Sequence, residues 1–251
     1  MPLASHLKEL RKRFVLAILG LVVGMVVAFL VTDSVIWFIT EPIRIIDEQR
    51  GGEFAELVFS GIATGFNLRI RIAFALGLLF SAPIWLWQIW AFVMPGLTRK
   101  EIKYTWGFLG AAIPLFFAGT YVAVMVAPHV IEVMSGFVPE AGKNFFDANY
   151  YYDFIFKFIL VIGVSFVLPV FMVALNLAGV VTGKAMLKSW RVAVLVASLF
   201  AAIATPAADI GSMLLLAGIL VVLYFAATFL SMLFDRRKRK RMVAEGLDPD
   251  A

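Results

Sequence analysis

Six stretches of this chain are apolar throughout, at 14–32, 72–97, 104–128, 158–183, 192–208 and 210–234, and none contains an Asp, Glu, Lys or Arg. Stretch 14–32 is 19 residues long. As a helix it would rise about 28 Å, close to the roughly 30 Å hydrocarbon core of a bilayer. Lipid leaves only helices or a closed barrel as spanning structures. Barrel strands alternate apolar and polar positions over about ten residues, whereas these runs are continuous. The pattern therefore predicts six transmembrane helices and an all-α membrane protein.

The fifth run is the weakest. Thr205-Pro206 interrupts it and leaves 13 residues, 192–204, or about 20 Å of helix. A short span is expected rather than a re-entrant segment, because a full-length sixth run follows after a tight polar turn. Pro83, Pro114 and Pro169 fall inside spans two, three and four. Each removes a helix hydrogen bond and predicts a kink.

Composition supports this reading. The chain is 62% hydrophobic and 16% charged, against roughly half and a quarter in soluble domains. The apolar runs follow one another too closely for a separate soluble domain. One transmembrane domain, 1–234, is expected, with a basic, disordered tail at 235–251. The chain has no Cys and two His, which excludes a disulfide framework and argues against a structural zinc site. Lys8, Glu9, Arg11, Lys12 and Arg13 precede the first run, and no short apolar core with a small-residue cleavage site is seen, so the first run reads as a retained span.

Charge sets the orientation. With the N-terminus inside, 16 Lys and Arg fall on the inside and 6 on the outside. Every inside segment is basic, as the positive-inside rule requires. Both termini are therefore expected in the cytoplasm, and the net charge of +5 needs no nucleic acid. The basic run from Arg236 to Arg241 reads as a stop-transfer anchor attracted to anionic lipid. Outside loops are expected at about 34–70 and 129–157. Tyr150, Tyr151 and Tyr152, and on the inner side Trp85, Trp87 and Trp90, read as interfacial belts.

Catalytic chemistry finds no support. His6 and His129 lie on opposite sides of the predicted membrane, and no nucleophile–base pair is visible. The segment Gly179-Val-Val-Thr-Gly183-Lys184 has a phosphate-loop flavour, but it is one residue short and has Ala185 where Ser or Thr is required. No cofactor is implied. Two inside acids stand out, Glu9 and Glu101, alone in a basic field before Asp235. A helical reading pairs Glu9 with Arg13, and Glu101 suits a helix start. Those local readings come first on physical grounds, but two lone carboxylates in a basic field could also bind an incoming cation.

The run His6-Leu-Lys-Glu-Leu-Arg-Lys-Arg13 resembles the opening of the TatC family, a subunit of the twin-arginine protein translocase. So do Ser81-Ala82-Pro83, Gln88-Ile-Trp90-Ala-Phe92, and Pro95-Gly96-Leu97 with Glu101. Gly163-Val-Ser-Phe166 with Pro169, and Thr205-Pro206 with Asp209, continue the match in order. The likeness runs over about residues 5–234. It implies six helices in a cupped arrangement in a bacterial-type cytoplasmic membrane. It also implies a receptor for Arg-Arg signal peptides of folded proteins, with a homo-oligomer in the complex. The single-span partners TatA and TatB would be scaffolded for export driven by the proton gradient. On this resemblance Glu9 and Glu101 contact the twin arginines, with Arg11 and Arg13 at family positions that a plain positive anchor would also explain. Pro42 and Phe92 match positions the family depends on, and Asp209 matches an outer-face acid linked to TatA or TatB.

Two departures stand out. Val167 occupies a place where many members carry a glutamate, and Met213 one where glutamine is common. An intramembrane acid is costly and usually functional, so polar engagement of a partner at that depth is in doubt unless Asn176 or Gln88 substitutes. The alternative, a small-molecule secondary transporter, would show midplane ionisable ligands and internal repeats. Neither is visible, and an intramembrane enzyme would need a buried catalytic pair.

Overall fold

The computed structural model describes residues 3–49, 52, 55–59, 61–93, 99–139, 144–204 and 210–244. Helix α1 covers Leu3–Gln49, α2 Thr64–Phe80, α3 Ala82–Val93 and α4 Arg99–Ser135. Helix α5 covers Ala148–Leu177, α6 Gly183–Lys188, α7 Trp190–Ala204 and α8 Ile210–Ala244. Strand β1, Ala55–Val58, pairs in parallel with β2, Asn144–Asp147.

Helices α1, α4, α5 and α8 are each long and apolar enough to cross a bilayer. Helices α2 and α3 qualify as a pair bent by 57°. Helix α7 is apolar but only 15 residues long. These six segments are compatible with six crossings. The break between α2 and α3 falls at Ser81, just before Ala82-Pro83, where the missing proline N–H and the restricted residue before it stop a helix. The Leu78 carbonyl at this break accepts the Trp85 indole N–H at 2.9 Å, so a polar group is not left bare in an apolar region. Helices α4 and α5 continue through Pro114 and Pro169.

The chain divides into two compact units, Met1–Val93 with Phe117–Gly163, and Met94–Phe116 with Val164–Ala251. In the first unit, α1 presents Gly20, Gly24, Ala28 and Thr32 as a buried stripe, while Val23, Val26 and Leu30 are exposed. Small residues inside and large ones outside invert the water-soluble pattern. In lipid the gain comes from close backbone packing, since hydrocarbon already solvates large apolar side chains. The approach is tightest where α1 meets α2. A Cβ on Gly24 would lie 2.6 Å from the Gly77 carbonyl oxygen, and one on Gly77 would lie 2.7 Å from the Met25 nitrogen.

Two expectations about the outer side need correction. The segment from Ser34 is not a loop: α1 continues to Gln49, through Pro42. Hydropathy marks where the hydrocarbon ends, not where the helix does. Likewise α4 runs on to Ser135 and α5 starts at Ala148, with Asp147 Oδ1 accepting the N–H groups of Asn149 and Tyr150 at 2.9 and 3.2 Å as an N-cap. The tyrosine belt also fails. Tyr150 is 81% exposed, but Tyr151 and Tyr152 are 5% and 1% exposed. Their hydroxyls bond α1: Tyr151 donates to the Ile39 carbonyl at 2.6 Å, and Tyr152 meets Thr40 Oγ1 at 2.7 Å. Helical steps of about 100° turn successive residues to different sides, so three consecutive tyrosines cannot all point away from the protein.

In the second unit, Asp235 ties α8 to the start of α6. Its Oδ2 accepts the Gly183 N–H at 2.7 Å and its Oδ1 accepts Asn176 Nδ2 at 2.9 Å. Gly183 lies so close to α8 that a Cβ there would meet the Met232 nitrogen at 2.7 Å. Helix α8 runs past Phe234 through the basic residues to Ala244.

The glycine crossing gives a direct test. Gly24→Ala or Gly77→Ala should each lower the thermal midpoint of the detergent-purified protein, by about 1–3 kcal/mol of overpacking. Gly218→Ala on α8, which meets nothing within 4 Å, should leave it unchanged or raise it.

Candidate functional site

Glu9 and Arg13 stand one turn apart near the start of α1. Arg13 donates to Glu9 Oε1 from Nε at 3.0 Å and from Nη2 at 2.6 Å. Both side chains are about a quarter exposed. No other bond to Glu9 is formed among the described residues, so the carboxylate already holds one guanidinium through Oε1. Arg11 is exposed beside them. The lead-in to α1 is pinned by His6, whose ring stacks on Phe92 at 4.4 Å and 22°. Phe92 lies near the end of α3. The structure therefore brings Phe92 and the Glu9 segment together within the first unit.

Glu101 is the third residue of α4, in the second unit. Its place in the first turn suits the positive end of the helix dipole, and its side chain lies outside what the structure describes. Pro95, Gly96 and Asp209 also lie outside the described residues.

Pro42 lies inside α1, not in a turn. It lines an apolar cavity of about 370 Å³ with Glu41, Phe38, Tyr151 and Ile155. Glu41 is held by Arg44 at its edge. Val167 is 2% exposed; it faces protein rather than lipid. Met213 is half-buried near the start of α8. Asn176 is committed within the chain, donating to the Val181 carbonyl at 3.0 Å as well as to Asp235. Its amide N–H groups are thus used within the chain, while its Oδ1 is buried without a partner among the described residues. The Gly179–Lys184 loop binds its own anion: the Gly183 N–H faces the Asp235 carboxylate, and Thr182 caps α6 by accepting the Ala185 N–H at 3.2 Å.

Sequence reasoning missed three anchors. Gly20, Gly24, Ala28 and Thr32 repeat every four residues, a small-residue stripe that could have been read directly. Asp235, one acid before six cations, signalled a specific partner for that charge. The stacking of His6 on Phe92 left no local signal, because 86 positions separate the two in sequence.

Comparisons with known proteins converge. Residues 5–218 match the family described as Sec-independent protein translocase protein (TatC). A TatC from Xylanimonas cellulosilytica is 41% identical over 241 residues, covering 96% of this chain and 87% of that protein. One from Rothia mucilaginosa is 32% identical, covering 99% and 85%, and a chloroplastic TATC from Pisum sativum is 28% identical, covering 94% and 65%. A crystal structure of the twin arginine translocase receptor TatC in DDM superposes with a TM-score of 0.79 at 27% identity, covering 90% of this chain and 99% of that one.

The Glu9–Arg13 pair is partly exposed and local, so it contributes little to stability. Glu9→Gln should shift the unfolding free energy by less than about 1 kcal/mol, read from thermal unfolding in detergent. A larger loss would mean that the pair holds the fold and would confound binding measurements at this position.

Proposed function

We propose that this chain, which belongs to the TatC family of Sec-independent protein translocase proteins, receives Arg-Arg signal peptides at the inner membrane edge through Glu9 and Glu101. The protein is a multi-pass membrane subunit of the Tat protein-transport pathway. The observation that carries the receptor reading is a partly exposed carboxylate, Glu9, near the start of α1 that already seats a guanidinium on Oε1. Guanidinium offers a rigid fork of donors that matches a carboxylate, which an ammonium cannot reproduce. Such signals are addresses read by a receptor rather than anchors. Arg11 and Arg13 would keep the surrounding field basic, so that only a peptide able to satisfy the carboxylates directly gains by docking.

In this reading the same chain scaffolds TatA or TatB, and a homo-oligomer of it sits within the complex. Transport of folded cargo draws on the proton gradient. The half-buried Met213 supports a partner contact made by packing, and Val167, buried within this chain, offers no carboxylate at its depth. Asp209 is proposed as an outer-side contact for those partners, and Pro42 and Phe92 as supports that fix the ends of α1.

The decisive experiment is a pull-down with a twin-arginine signal peptide and its Lys-Lys form. The arginine peptide should be retained and the lysine form largely lost. Loss of one charged hydrogen bond costs about 1.5–3 kcal/mol, so Glu101→Gln, and to a similar or smaller extent Glu9→Gln, should weaken peptide binding roughly ten- to a hundredfold. Undiminished crosslinking of the peptide to both variants would sink the receptor assignment.

A second outcome concerns Val167. Val167→Glu should change co-purification of TatA or TatB while leaving peptide binding intact. Equal partner recovery with both forms would count against a role for that position.

A further inference from the structure

On the inner side of the second unit, the loop between α5 and α7 forms a hollow of about 770 Å³ lined by Lys184, Leu187, Lys188, Trp190, Arg191 and Phe225. Lys184 and Lys188 lie one turn apart on α6, and the Arg191 guanidinium lies 5.7 Å from the centroid of the Trp190 ring. All three cations are exposed and form no ion pair among the described residues. No Asp or Glu occurs between Asp153 and Asp209, or between Asp209 and Asp235. Asp235 itself uses both oxygens on Asn176 and Gly183. The hollow is therefore a net positive pocket with an apolar, aromatic wall at the level where the charge pattern places the inner headgroups. The same Asp235 bond sets the start of the Arg236–Arg241 run beside α6, which adds to the positive field.

We propose that this hollow is a binding site for an anionic phospholipid. The phosphate sits among Lys184, Lys188 and Arg191, and the glycerol and upper acyl chain lie along Leu187, Trp190 and Phe225. Three cations lining one hollow without an acid select a negative headgroup over a zwitterionic one, because a zwitterion brings its own cation into the pocket. The apolar wall selects a lipid over free phosphate. The short α7 adds a reason for a fixed lipid here. A helix shorter than the local hydrocarbon thickness requires the bilayer to adjust around it, and a lipid held at its inner end sets the local surface.

The test uses the full chain purified in detergent and titrated with phosphatidylglycerol or phosphatidylcholine, with bound lipid counted by native mass spectrometry. Each cation near an anionic surface contributes about fivefold in binding. The triple variant Lys184→Gln, Lys188→Gln, Arg191→Gln should therefore lose phosphatidylglycerol on the order of a hundredfold, with phosphatidylcholine unaffected. Brominated phosphatidylglycerol should quench wild-type fluorescence more than it quenches Trp190→Phe, a readout that needs no charge variant to fold. Neutralising Arg236, Arg237 and Lys238 should lower total lipid uptake but keep the Trp190 quenching. Equal binding of the two lipids, unchanged binding by the triple variant, or full competition by glycerol phosphate would each overturn the proposal.

Discussion

The contact on which the rest of the first unit depends is the backbone approach of α1 and α2 at Gly24 and Gly77. Helices in lipid gain nothing from hiding large apolar side chains, so they associate where their backbones can touch. That contact fixes the register of α1 against α2 and α3. Toward the start of α1, at a rise of 1.5 Å per residue, the register sets Glu9 about 22 Å from Gly24 and delivers His6, about 27 Å away, to Phe92. A carboxylate paired with a guanidinium, as Glu9 is with Arg13, keeps its geometry only on a rigid backing.

The second unit solves a different problem with the same means. Its inner loop would expose the first N–H groups of α6 at the membrane edge. Asp235 and Thr182 satisfy them, and Asn176 closes the turn. The polar atoms are thus used locally, which leaves the surrounding cations unneutralised.

Much of this was legible in the sequence, and the reason differs by feature. The long apolar helices were readable because hydrocarbon excludes charge, which leaves their sequences as uninterrupted apolar runs. The Glu9–Arg13 pair was readable because helical spacing puts them one turn apart. The extension of α1 to Gln49 was not, because outside the hydrocarbon Asp33, Glu41 and Asp47 are as compatible with a helix as with a loop. Tyr151 and Tyr152 were misplaced because residue type was used without helical phase. Their burial depends on Ile39 and Thr40, more than 100 positions earlier. Glu101 was picked out by its isolation as an inside acid, a feature of sequence alone.

The parallel pair of β1 and β2 has a consequence in time. Its strands lie about 90 residues apart, on either side of two membrane crossings. At a synthesis rate of about 5–20 residues per second, the first strand waits on the order of ten seconds for its partner. Until then its edge is unpaired on the far side of the membrane. Insertion of the two intervening crossings must therefore precede closure of the outer sheet, so strand pairing cannot be the nucleus that starts the first unit.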